Sequence, residues 1–246
     1  MAQVDEIAPD VFRISIYAPE FKLTFNHFLI RDDEPLLYHA GFRGMFADVC
    51  DGVARLIDPA SIRYIGFSHF ESDECGALNH WLELAPRAEP ISGLIGARVN
   101  IDDFASRPAR VLASDAALSS GKHRFRLLPT PQLPHGWDAC LLFEETDRTL
   151  FCSDLFTQSG ERGPLTTDSI VEPAREALLQ AEAGQFAHAV PYTRDTGQTL
   201  VSLARHDPQT LATMHGSSYR GDGAQALRDF ARVLREVLAP DASAYR

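Results

Sequence analysis

The sequence predicts one layered α/β domain, and three observations carry that reading. Strand-like apolar runs dominate the first two thirds of the chain, and helical apolar spacing gathers in the last third. No internal repeat, low-complexity tract or linker interrupts the 246 residues, so a single unit covering 1–246 is the economical division. A loop reading S-H-F-E-S-D-E-C-G-A, residues 68–77, stands between a short buried strand and a helical pattern. Open sheets hold functional side chains on such loops.

Taken in order, residues 11–17 and 23–30 read as strands joined by a turn at Pro19. A second turn at 32–35 leads into a strand at 36–39, and Gly41 and Gly44 loosen the chain before an amphipathic helix at 46–56. The strand at 64–67 precedes the 68–77 loop, and a helix follows at 76–84. Short elements run through Ile91 and Val111 to a hairpin-like pair, 124–128 and 140–145, and a strand at 149–152 ends near Asp154. Residues 158–167, rich in Gly, Ser, Thr and Pro, read as a surface loop over the strand ends. Helices follow at 173–183, 195–204 and 224–238, with a strand at 210–214 before His215. Leu227, Phe230, Val233 and Leu234 recur at helical spacing and belong to the core.

Bulk properties exclude several functions. A formal net charge of −11 argues against nucleic-acid or anionic-membrane partners, which need clustered Lys and Arg. No apolar run reaches the ~18 residues of a membrane span. The N-terminus M-A-Q-V-D-E-I-A-P-D has neither the basic start nor the apolar core of a signal peptide. Cys50, Cys75, Cys140 and Cys152 form no C-x-x-C pair, so free thiols and a cytoplasmic protein are expected.

His69, Glu71 and Asp73 are spaced by two, and in extended backbone alternate side chains point the same way. An imidazole and two carboxylates converging on one point are costly unless a cation sits there, and a metal is the obvious one. Three more residues extend the pattern: His135 in a Pro-rich loop, Asp154 at the end of T-L-F-C-S-D, and His215 at the end of L-A-T-M-H-G.

The series His69-x-Glu71-x-Asp73, His135, Asp154, His215 resembles the metallo-β-lactamase superfamily. Hydrolases of that superfamily carry H-x-H-x-D-H in the first loop. The branch of flavodiiron and oxygen-binding diiron proteins has Glu in place of the second His, and Glu71 stands there. The resemblance implies an αβ/βα four-layer sandwich with two metals at one edge. It implies that His69, Glu71, His135 and Asp154 bind one metal and that Asp73, Asp154 and His215 bind the other. Asp154 would bridge, together with a hydroxide or oxo group. Three ligand carboxylates favour two Fe ions over Zn, with Zn or Mn as alternatives.

Two departures from the branch stand out. Glu74 follows Asp73 where the branch has His, so it would bind the second metal, hydrogen-bond its water or point away. Flavodiiron proteins also carry a flavodoxin-like domain, for which this chain leaves no room, and a Gly-rich dinucleotide fingerprint is absent. No flavin is expected in this chain. Beyond the ligands, Glu74 and Tyr219 are the candidate catalytic groups, the Tyr219 hydroxyl as a hydrogen-bond donor to bound oxygen. Trp137 and, more weakly, Tyr192 are expected in the pocket wall. His27 and His39 read as packed residues in reach of the site, and Cys75 as a small packing residue. His80, His123, His188 and His206 read as structural or surface groups.

The function expected is a non-haem diiron protein that binds or reduces O₂, or NO. Its electrons would come from an external donor such as a flavodoxin, rubredoxin or reductase, and a homodimer is expected. The alternative is a dinuclear metal hydrolase of an ester, thioester, lactone or phosphoester, working through a metal-activated hydroxide.

Overall fold

Along Val11–Ala18, alternation sends Phe12 and Ile14 to one face and Val11, Arg13 and Ser15 to the other. Both faces are buried, so this sheet must be covered on two sides. The structure, a computed structural model, describes residues 1–239 and supplies both covers. The first sheet runs β1 (Gln3–Ala8), β2 (Val11–Ala18), β3 (Leu23–Ile30), β4 (Leu36–Tyr38), β5 (Tyr64–Gly66), β6 (Glu89–Ser92) and β7 (Arg110–Val111) in spatial order. Its pairs are antiparallel as far as β4 and parallel from there to β7. The second contains β8 (Ala117–Ser119), β9 (Arg124–Pro129), β10 (Cys140–Glu144), β11 (Thr149–Ser153), β12 (Leu165–Thr166), β13 (Thr210–Thr213) and β14 (Ser218–Arg220). Their spatial order is β12-β14-β13-β11-β10-β9-β8.

Three apolar clusters define four layers. Val49 and Val53 of helix Phe46–Ala54, with Leu78, Trp81 and Leu82 of helix Leu78–Leu84, cover the outer face of the first sheet. The indole N–H of Trp81 donates to the Ala40 carbonyl at 2.9 Å, tying that helix under the end of β4. Phe28, Ile30, Tyr38, Phe125, Leu142 and Phe151 fill the space between the sheets. Helices Val171–Glu182, Thr196–Ala204 and Gly223–Leu238 cover the outer face of the second sheet through residues such as Leu178, Leu200, Leu227 and Phe230. The order helix, sheet, sheet, helix is the expected αβ/βα sandwich.

Phe151 sits at the centre of the inner layer, with ring centroids 5.3 Å from Phe28 and 5.2 Å from Tyr38. Phe151→Ala leaves a cavity that rigid sheets cannot close, so it is expected to cost about 4 kcal/mol in urea unfolding. A loss below about 1 kcal/mol would show that the layer relaxes around the hole.

The structure adds two elements that the sequence did not single out and corrects one expectation. β1 is a strand although only half of its Q-V-D-E-I-A residues are apolar and they do not alternate, because an edge strand is held by pairing with β2 rather than by apolar alternation. Residues 94–104 are helical throughout (Leu94–Gly96, Ala97–Ile101, Asp102–Phe104) and leave Leu94, Ile95 and Val99 exposed. The 158–167 loop carries β12, and its Gln158 is buried with the side-chain amide donating to the Ser217 carbonyl at 3.1 Å. No helix among the described residues is long and apolar enough to cross a membrane.

Candidate metal centre

Four strand ends deliver the six residues to one place. His69 follows β5, His135 lies in the loop from β9 to β10, Asp154 follows β11 and His215 follows β13. The extended alternation expected from His69 to Glu71 gives way to a tight turn: residues 68–70 bend, and the Glu71 N–H donates to the His69 carbonyl at 3.0 Å, which brings the two side chains together. Asp73 does not follow that alternation either: it belongs to the first turn of the short helix Ser72–Cys75. The helical turn, not extended backbone, brings Asp73 to the site. Gly136, at φ +81°, allows the His135 loop to press against β5, since a Cβ there would stand 3.3 Å from the Cβ of His69.

The six side chains form two groups that share Asp154. Donor atoms of His69, Glu71, His135 and Asp154 lie within 4.8 Å of one another, as do those of Asp73, Asp154 and His215. One oxygen of Asp154, Oδ2, is 3.0 Å from His135 Nε2 and 3.6 Å from His69 Nε2; the other, Oδ1, is 3.2 Å from His215 Nε2. Glu71 Oε2 approaches the Nε2 atoms of His69 and His135 at 3.1 and 3.2 Å, and Asp73 Oδ2 approaches His215 Nε2 at 3.5 Å. Asp73 Oδ1 and Asp154 Oδ1 are buried without a hydrogen-bond partner. Such orphaned carboxylate oxygens suit a cation, and the donor set fits one at each group.

The titration of these groups follows from their crowding. Hydrogen bonds to Asp154 and then Glu71 raise His135 to about 10. Burial pulls His215 down, but Asp154 and Asp73 outweigh it and raise it to about 10. Burial opposes the same rise at His69, where Glu74, Glu71 and Asp154 lift it to about 9. Glu71 is lowered to about 2 by His135 and His69. Burial raises Asp73, whereas His135 and His215 hold Asp154 well below the carboxylate range despite its burial.

His215 and His69 present Nε2 because their other ring nitrogens are engaged. His215 Nδ1 donates to the Thr24 carbonyl at 3.0 Å, and His69 Nδ1 lies 2.7 Å from Ser68 Oγ. Arg13 and Asn26, both buried, donate to the Gly216 carbonyl at 3.2 and 2.9 Å and hold the His215 loop. Ser68, Ser153, Arg13 and Asn26 carried no signal in the sequence, since single residues of these types are ordinary core or turn residues.

Glu74 and Tyr219 do not reach the site. The Glu74 carboxylate is fully buried behind His69, among Ser68, Ser153 and His39, and points away from both groups of ligands. Tyr219 packs against the helical cover of the second sheet, and its hydroxyl lies over Gly221. Being on β14, it faces the helices rather than the sheet end. Tyr192 packs on the same cluster, whereas half-exposed Trp137 does line the mouth. His27 donates from Nδ1 to the Ile14 carbonyl at 3.2 Å and is pushed down to about 3, chiefly by burial. The Cys75 thiol donates to the Glu71 carbonyl and is raised to about 12, chiefly by burial, so it is a packing group. His80 packs on Phe46, His206 packs on Phe143, and His188 is exposed.

Two clefts meet at the mouth. One of about 700 Å³ is lined by Phe42, Arg43, Phe70, Glu71, Cys75 and Phe104. The other, about 390 Å³, is lined by His69, Phe70, Glu71, Asn100, His135 and Trp137. Both are wide enough to admit small molecules to the ligand face of Glu71.

His123, Glu144 and Asp147 form a further acidic group at the opposite end of the second sheet. Here Glu144 accepts the amides of Thr146 and Asp147 at 2.7 and 2.8 Å, closing the β10–β11 turn, while His123 Nδ1 stands 3.3 Å from Glu144 Oε1. The hydrogen bond to Glu144 raises His123 above its ordinary 6.5, and burial of Glu144 is outweighed by His123 and the amides, lowering it below 4.5. His123 therefore stabilises fully below pH 6.5 and less as pH rises through its raised value; Glu144 stabilises above pH 4.5 and less as pH falls through its lowered value. Glu144→Gln is expected to cost about 2 kcal/mol at pH 6 and clearly less at pH 9. Denaturant unfolding at both pH values checks this, and an equal loss at both would remove the ion pair from the account.

Comparison with known proteins supports the same fold. The chain is 25% identical over 201 residues to the rubredoxin-oxygen oxidoreductase of Megalodesulfovibrio gigas, an alignment covering 80% of this chain and 50% of that relative. The chain thus spans half the length of that relative. The structure superposes on rubredoxin oxygen:oxidoreductase from Desulfovibrio gigas with a TM-score of 0.79 at 19% identity, over 94% of this chain and 61% of that one. It superposes on the flavodiiron protein of Giardia intestinalis with a TM-score of 0.78 at 17% identity, over 96% and 60% of the two chains. A family profile described as ODP family beta lactamase matches residues 23–216, most of the chain and all six converging residues. The chain therefore belongs to the ODP family of metallo-β-lactamase-like proteins.

Proposed function

We propose that this chain is a non-haem diiron protein that binds or reduces O₂, or NO, with electrons from a separate donor. The observation that carries this reading is the sharing of Asp154 between two ligand groups, with a carboxylate at residue 71. His69, Glu71, His135 and Asp154 Oδ2 would hold one ion, and Asp73, Asp154 Oδ1 and His215 the other. Bound there, two iron ions would supply electrons and open positions for a diatomic ligand.

The residues themselves set the conditions for that chemistry. Three carboxylates concentrate negative charge on the site and favour hard, highly charged ions. The Ser68 and Thr24 contacts fix the His69 and His215 rings with Nε2 inward. Phe70, Phe104 and Trp137 give the mouth an apolar rim. The name of the M. gigas relative, an oxidoreductase acting between rubredoxin and oxygen, supports the reading and makes a rubredoxin, a flavodoxin or a reductase the donor to try first. A homodimer in the cytoplasm is proposed beside it, and light scattering of the purified protein tests the pairing.

Elemental analysis and a visible spectrum of freshly purified protein test the proposal. About two irons per chain, with oxo-bridge absorption that appears on exposure to air, are expected. Stoichiometric zinc, a colourless sample and esterase turnover would replace it with the hydrolase reading.

A further inference from the structure

Glu74 follows Asp73 directly in the ligand-bearing loop, yet its carboxylate serves the opposite side of His69. Oε2 accepts the backbone N–H of Ser68 at 2.6 Å and of His69 at 3.2 Å, and Oε1 accepts the Ser153 hydroxyl at 2.7 Å. The Ser68 hydroxyl donates to both oxygens, at 2.8 and 2.9 Å, and its oxygen is 2.7 Å from His69 Nδ1. A directed chain results: His69 Nδ1–H to Ser68 Oγ, and Ser68 O–H to Glu74. With an ion bound, it would fix the neutral tautomer of His69 whose Nε2 lone pair faces Glu71, His135 and Asp154. His39 Nδ1, 3.3 Å from Oε2, closes the cage behind it. The second group meanwhile holds only Asp73, Asp154 and His215 among the described residues, one protein donor fewer than the first.

We propose that Glu74 makes the two metal positions unequal: it anchors His69 for the first and, by turning inward, leaves the second with three protein donors. The first ion is held tightly and the second exchanges. Glu74 is a positioning residue, and the inference rests on the dinuclear reading above.

Stepwise titration of chelator-stripped protein with Co(II), followed by its visible absorption in competition with a chelator, tests it. In the unmodified protein the first equivalent is expected to bind more than about tenfold tighter than the second. Glu74→Gln is expected to weaken the His69 position about 10–100-fold, which closes the gap between the two equivalents, and to leave the Asp73–His215 position unchanged. Ser153→Ala, which removes one donor to the carboxylate and keeps the charge, is expected to act in the same direction by less, and it stands in if Glu74→Gln does not fold. A merely structural role would weaken both equivalents alike, and that result overturns the inference. Two equivalents of equal affinity in the unmodified protein overturn the inequality but leave the dinuclear site standing. Fewer than two bound ions per chain would sink both.

Discussion

Asp154→Ala is expected to yield protein with neither metal ion. Each of its carboxylate oxygens faces a different ligand group, Oδ2 toward His135 and His69 and Oδ1 toward His215. Alanine therefore removes a donor from both positions in a single change. It leaves the first with three donors and the second with two. Loss of an outer hydrogen bond to a ligand alone costs about 10–100-fold in metal affinity, and losing the ligand itself exceeds that. The fold should survive, because the three apolar clusters do not depend on this carboxylate. Metal analysis after gel filtration, beside circular dichroism, measures both points. His135→Ala is the control: it touches only the first group and should spare part of the metal. Full metal content in Asp154→Ala would refute the shared ligand.

Glu71→His is expected to exchange the metal rather than abolish it. Glu71 is half-exposed at the mouth, so the substitution disturbs no core packing. Its carboxylate lies 3.1–3.2 Å from the Nε2 atoms of His69 and His135, close enough for an imidazole to bind the same ion. The change removes one negative charge and one hard oxygen donor from the first group. Fewer anionic oxygens weaken the preference for iron, and the intrinsic order of divalent affinities then favours zinc. From cells supplied with both metals, the iron-to-zinc ratio should fall about tenfold or more, with loss of visible absorption. An unchanged ratio would mean that residue 71 does not select the metal.

Asp154 and His215 were legible in the sequence because each lies within two residues of a strand end, and strand ends are announced locally by apolar runs followed by a break. The first-loop spacing was legible too, although Asp73 arrives by a helical turn that spacing alone does not distinguish from extended chain. Edge strand β1 and the helical stretch 94–104 were not legible. The first owes its form to its neighbour β2, and the second departs from amphipathic periodicity and exposes Leu94, Ile95 and Val99. Tyr219 packs toward the helices because proximity to His215 in sequence says nothing about which face of β14 a residue occupies.

What the sequence by itself determined was the set of donors and their order along the chain, since residue type and nearness to a strand end are local properties. Which way Glu74 points was decided only in the folded molecule. Its carboxylate meets Ser153, 79 residues further on, and a contact between the helical turn after β5 and the end of β11 exists only once both are in place. The same holds for the division of labour at Asp154, whose two oxygens acquire different partners only when β5, β9, β11 and β13 end side by side.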